Sequence, residues 1–72
     1  MSITTALELG KLIRDTRKKA KLTQADLAAA SGIGERFIRE LEKGKPSCQI
    51  GKALFVAQML GIKFETKSNE HE

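Results

Sequence analysis

The sequence predicts an all-α domain of four to five short helices, followed by one short C-terminal β-strand. Three observations lead there. Apolar residues recur at helical spacing in successive stretches between Leu7 and Leu60. Glycines follow these stretches at Gly32, Gly44 and Gly61, where a left-handed residue stops a helix. The spacing then changes to strict alternation over residues 62–67, the period of a half-buried strand.

The elements follow in order. Residues 1–6 read as a loose arm. A first helix runs from Leu7 to Lys21, with Leu9, Leu12, Ile13, Thr16 and Ala20 on one stripe. Its other side carries Lys11, Arg14, Lys18 and Lys21. That side is either a solvated face or a phosphate-contacting one, and the residues alone leave both open. Thr23 is a suitable N-cap for a second helix, with Asp26 near the positive end of its dipole. This helix passes through Leu27 and the alanines to Ser31, and Gly32 stops it. A third helix spans Gly34 to Lys43, with Phe37, Ile38 and Leu41 as its buried stripe. Gly44 ends it, and Lys45-Pro46-Ser47 forms a loop.

Ser47 can cap a fourth helix that runs to Leu60. Ile50, Ala53, Leu54, Ala57 and Leu60 make its expected core face, and Phe55 and Met59 project from the other side. The alternating segment 62–67 has no other strand in the chain to pair with. A lone strand leaves its backbone groups unpaired. The expectation is pairing with the same strand of a second subunit, with Phe55, Met59, Ile62 and Phe64 as dimer contacts; the alternative is a frayed tail. Residues 68–72 read as a disordered polar tail. The whole chain, 1–72, is one domain: a helical part at 7–61, a dimerisation strand at 62–67 and the tail.

Composition narrows the function. A chain of 72 residues buries only about 60% of the surface its unfolded state exposes, so a partner chain is a natural support. Cys48 is the only cysteine, which excludes an internal disulfide. Cys48 and His71 are too few soft ligands for a metal site, and no cofactor is expected. The net charge of +4 is compatible with nucleic acid without proving it. The absence of Trp and Tyr argues against a base-stacking platform for single strands. No apolar run has the length of a membrane span, and no secretory signal pattern opens the chain. The expected location is the cytoplasm, with Cys48 reduced. No nucleophile stands beside a histidine and no phosphate-cradling glycine loop occurs, so an enzyme is not expected.

Two short helices joined by a glycine-containing turn make a helix-turn-helix unit, and residues 24–43 meet its local demands. Ala28 lies where the second helix crosses the third, Gly32 supplies the turn, and Leu27, Ile33, Ile38 and Leu41 lock the pair to the rest. The stretches Leu22-Thr23-Gln24-Ala25-Asp26-Leu27-Ala28, Gly32-Ile33 and Ile38-Arg39-Glu40-Leu41-Glu42-Lys43-Gly44-Lys45-Pro46-Ser47 resemble the lambda-repressor/Cro-type (XRE) family. The likeness covers about residues 9–61. The short fourth helix followed by a strand is similar to the HipB-type antitoxins of that family, which dimerise, bind an operator and neutralise a HipA-type kinase toxin.

The resemblance implies a role for each matching position. It assigns double-stranded DNA contact to Thr23, Gln24, Glu35, Arg36, Arg39, Lys43 and Lys45. Gln24 would clamp a phosphate. Glu35, Arg36 and Arg39 would face the major groove from the third helix, and Lys43 and Lys45 would lie near the backbone. Arg17 and Glu42 match a family pair that forms an internal salt bridge. Arg36 can present a two-pronged donor to guanine. Arg39 can do the same, touch phosphate, or simply pair with Glu35 one turn away. Glu35 departs from the family pattern: it can accept from a cytosine amino group or only orient the arginines. Together these imply a homodimeric repressor reading a pseudo-palindromic operator, as the antitoxin of its own operon. The rival is a degenerate helix-turn-helix that binds a partner protein and not DNA, which Glu35 and Glu40 favour.

Overall fold

The structure, a computed structural model, describes residues 3–65. Four helices follow one another: α1 (Ala6–Lys19), α2 (Gln24–Ser31), α3 (Glu35–Glu42) and α4 (Ile50–Met59). α1 packs on α3, and α2 packs on both α3 and α4. The core they enclose is Leu9, Ile13, Leu27, Ile38, Leu41, Ala53, Val56 and Ala57.

Each helix is bounded by identifiable local chemistry. α1 starts at a capping box. Thr5 Oγ1 accepts from the Glu8 N–H at 3.1 Å, and the Glu8 carboxylate accepts from the Thr5 N–H at 3.0 Å and the Thr4 N–H at 2.7 Å. Such a cap contributes about 0.5–2 kcal/mol. The expectation of a loose arm over 1–6 is therefore corrected for residues 3–6: Thr4 and Thr5 are bonded, Ala6 is helical, and Ile3 packs against the core. α2 repeats the device. Thr23 accepts from the Asp26 N–H, and Asp26 from the Thr23 N–H, both at 2.9 Å.

The helices end on left-handed residues. Gly32 closes α2 at φ 72°, while Gly44 and Gly61 follow α3 and α4 at φ 83° and 78°. α1 has no glycine there. Lys21 takes the left-handed conformation instead, at φ 60°. The Leu22 N–H then donates to the Arg17 carbonyl and the Lys21 N–H to the Lys18 carbonyl, which satisfies two terminal carbonyls.

Gly10 sets the approach of α1 to α3. A β-carbon there would fall well inside van der Waals contact distance of the Leu41 carbonyl oxygen and 2.9 Å from that of Glu42. Gly44 is similarly confined, since its β-carbon would lie 2.7 Å from the Leu7 α-carbon. Two glycines thus let the start of α1 lie against the end of α3.

The fourth helix differs from expectation in two ways. Ser47 does not cap it; the N-cap is Gln49, with no side-chain cap bond. Its buried face is also rotated. Ala53, Val56 and Ala57 are buried and Leu60 is half-buried, whereas Ile50 is 65% exposed and Leu54 lies outside with Phe55 and Met59. The small Ala53 and Ala57 lie against the core, and large apolar side chains are left on the solvent side. Residues 62–65 form no strand among the described residues. A strand is defined by its ladder of hydrogen bonds, and one chain supplies no partner for it. Residues 66–67 of the expected strand and the tail 68–72 lie outside the described residues.

Candidate nucleic-acid interface

The interface is built on a buried polar tie. Arg17 on α1 donates from Nε to Glu42 Oε2 at 2.6 Å and from Nη2 to Oε1 at 3.0 Å. Its Nη1 donates to the Leu22 carbonyl at 2.8 Å, and Gln24 Nε2 donates to Glu42 Oε1 at 3.1 Å. The two charged side chains are only 9% and 4% exposed. The hydrogen bond to Glu42 raises the Arg17 pKa, against the opposing effect of burial. One network thus joins the end of α1, the turn after it, the start of α2 and the end of α3. It sets where the first turn of α2 stands relative to α3.

Around this tie the chain gathers positive charge. A shallow depression of about 390 Å³ is lined by Leu7, Arg14, Gln24, Arg39, Glu42 and Lys43. Arg14, Arg39 and Lys43 are exposed, while Gln24 is half-buried with one amide hydrogen on Glu42. Arg14 was legible only as part of the basic face of α1. The signal that places it here is its position three residues before Arg17, hence on the side of α1 that meets the end of α3.

The exposed side of α3 carries Glu35, Arg36 and Arg39. Among the described residues no ion pair joins Glu35 to Arg39. The pair that forms is Arg36 with Glu40, Nε to Oε2 at 3.4 Å, and the Arg36 side chain is 82% exposed. Lys45 also reaches Glu40, Nζ to Oε1 at 3.2 Å. The Lys45 ammonium, and secondarily the Arg36 guanidinium, hold the Glu40 carboxyl below the usual carboxylate range. Thr23 is exposed, but its hydroxyl and N–H serve the cap of α2. Phe55, Met59 and Phe64 lie together with Ile50 and Leu54 among the exposed large apolar residues, and Ile62 is half-buried. Leu54, Ile62 and Phe64 line one open groove of about 700 Å³ between α4 and the segment after it.

Residues 13–66 match the sequence model of the helix-turn-helix family. The chain belongs to the XRE-type helix-turn-helix family. A curated member, an uncharacterised HTH-type transcriptional regulator y4mF of Sinorhizobium fredii, is 48% identical over 63 residues, covering 88% of this chain and 83% of that one. This XRE-type chain is therefore a transcriptional regulator, a class that is not typically enzymatic. Its fold superposes on a chain of the HipA-HipB-O2-O3 complex with a TM-score of 0.85 at 18% identity, over 97% of this chain and 99% of that one. A chain of the HipB-O4 20mer complex gives the same TM-score and identity over the same shares. The all-α, lambda-repressor-like architecture is thereby established, and HipB-like likeness is a likeness of fold. Among the described residues no helix is long and apolar enough to cross a membrane.

Proposed function

We propose that this regulator is a sequence-specific repressor that binds double-stranded DNA as a homodimer. The observation that carries the reading is the exposed basic face of α3, with Arg36 and Arg39, held against the start of α2 by the buried Arg17–Glu42 tie. A short helix so anchored can enter a major groove end-on while its neighbours touch the backbone. The depression among Arg14, Arg39, Lys43 and Gln24 is a suitable seat for a phosphate, since three cations surround it and no metal is needed. Phosphate contacts supply most of the affinity and make it salt-dependent. Base contacts then come from Arg36 and Glu35, while Arg39 serves the phosphate seat. Lys45 and Thr23 lie beside the backbone.

Dimerisation follows from the apolar surface. Ile50, Leu54, Phe55, Met59 and Phe64 stay exposed in one chain, and a second copy would cover them. The segment 62–65, which forms no strand within one chain, then finds a ladder partner in the same segment of the other subunit. A two-fold dimer sets its recognition helices about 34–36 Å apart on a pseudo-palindrome. HipB-containing complexes with the same fold support a finer reading: an antitoxin that represses its own operon in the cytoplasm and pairs with a HipA-type toxin. The acidic Glu35 favours a second reading, a protein-interaction module that has lost DNA.

The test is a titration of the purified protein against the DNA upstream of its own gene and against scrambled duplex, at two salt concentrations. The repressor reading expects tighter, salt-sensitive binding to the native fragment. Equal binding to both, or none, with a captured toxin-like kinase, selects the interaction module.

A further inference from the structure

Glu40 stands apart from the other acids of the interface. Its carboxylate takes one cation on each oxygen: Arg36 Nε on Oε2 and Lys45 Nζ on Oε1. The Lys45 N–H also donates to the Glu40 backbone carbonyl at 3.1 Å, so the loop lysine is held to α3 at two points. Arg39 and Lys43, on the same stretch, have no carboxylate partner among the described residues. The basic residues of the interface therefore fall into two groups. Arg14, Arg39 and Lys43 are free to meet any phosphate, whereas Arg36 and Lys45 share one internal anion.

Ion pairs this exposed contribute little to folding, so stability does not explain the arrangement. Its effect on DNA contact is larger. A free, fully extended arginine turns to the nearest phosphate, and phosphates are the same in every sequence. An arginine whose Nε is occupied keeps its two terminal nitrogens, a pair that fits guanine O6 and N7. We propose that Glu40 is a specificity-determining positioning residue, which withholds Arg36 and Lys45 from indiscriminate phosphate contact and aims the terminal nitrogens of Arg36 at a base edge. The assignment rests on the DNA-binding reading above.

Glu40→Gln keeps the shape and removes the charge. Each cation it releases to a phosphate steepens the dependence of log affinity on log salt by about 0.9. Taking about 1 M salt as the point where ionic attraction vanishes, non-specific affinity near 0.1 M rises about eightfold per added contact. Affinity for a cognate site gains less, because there Arg36 is already engaged with a base.

The experiment first selects a preferred duplex from a random-sequence pool with the wild-type protein. Wild type and Glu40→Gln, matched in thermal unfolding, are then titrated with that duplex and with a scrambled one across a salt series. The expected result is a steeper salt slope for the variant, tighter scrambled binding, and a several-fold smaller ratio of selected to scrambled affinity. An unchanged slope and ratio, with wild type still selective, overturns the role of Glu40 alone. A wild type that enriches no sequence overturns the DNA-binding reading and this assignment with it.

Discussion

Replacing Arg17 by methionine keeps much of the side chain's bulk and removes the guanidinium from Glu42. The Glu42 side chain is 4% exposed and would retain Gln24 Nε2 as a donor. Stranding one partner of a buried pair costs about 3–5 kcal/mol. At about 0.05–0.15 kcal/mol per residue, a chain of 72 residues has about 4–11 kcal/mol of total stability. The substitution therefore removes about a quarter of it or more. With a melting shift of about 4–8 °C per kcal/mol for a domain this small, Tm falls by at least about 12 °C. The double variant Arg17→Met/Glu42→Leu removes both charges and should recover most of the loss, since no unpaired buried charge remains. Urea and thermal unfolding of wild type, Arg17→Met, Glu42→Leu and the double variant measure this. A single variant that costs under about 1 kcal/mol, or a double variant as poor as the sum of its singles, would refute the view that a desolvated pair ties α1 to α3.

Other consequences can be checked on the same protein. Gly10→Ala should destabilise by the upper end of the about 1–3 kcal/mol usual for overpacking, although alanine within a helix normally gains about 1 kcal/mol over glycine; the reversed sign in thermal melts is the signature of the α1–α3 contact. Lys21→Gly relieves a left-handed conformation that costs an L residue about 1–2 kcal/mol, against about 0.5–1 kcal/mol of added chain entropy, so its Tm should rise by a few degrees. The Thr23 cap bonds hold Asp26, and the Thr4 and Thr5 bonds hold Glu8, below the usual carboxylate range. A carboxyl depressed on folding adds stability that is fully present above its unfolded pKa, about 4, and is lost as pH falls through the lower folded value. Unfolding followed from pH 7 to pH 2 should therefore show an acid-side loss that is smaller in Asp26→Asn.

The parts of this fold that were legible in the sequence are those set by neighbours along the chain. Thr23 with Asp26 marked the start of α2, and Gly32, Gly44 and Gly61 marked the helix ends, because caps and left-handed residues act within a few positions. The Thr5–Glu8 box has the same chemistry and was hidden by its place in an apparent arm. What depends on tertiary approach was not legible. Gly10 is unremarkable in a helix until the carbonyls of α3 lie against it. Lys21 carries no compositional sign of a left-handed turn. The face of α4 was ambiguous because Ile50, Leu54, Phe55 and Met59 ring a helix whose buried side is mostly alanine. In the interface, the positions of α3 and its neighbours were readable one by one. The pairing of Glu40 with Arg36 and Lys45, and the convergence of Arg14 with Arg39 and Lys43, required the helices in space.

On the DNA-binding reading, α3 meets base edges through Arg36. The most direct measurement compares wild type with Arg36→Ala on the selected duplex and on a set in which each base pair is changed in turn. Arg36→Ala should lose about 1–3 kcal/mol in affinity for the selected duplex and lose discrimination at one position of each half-site only. An Arg36→Ala protein that binds as tightly and discriminates as well at every position would contradict that reading.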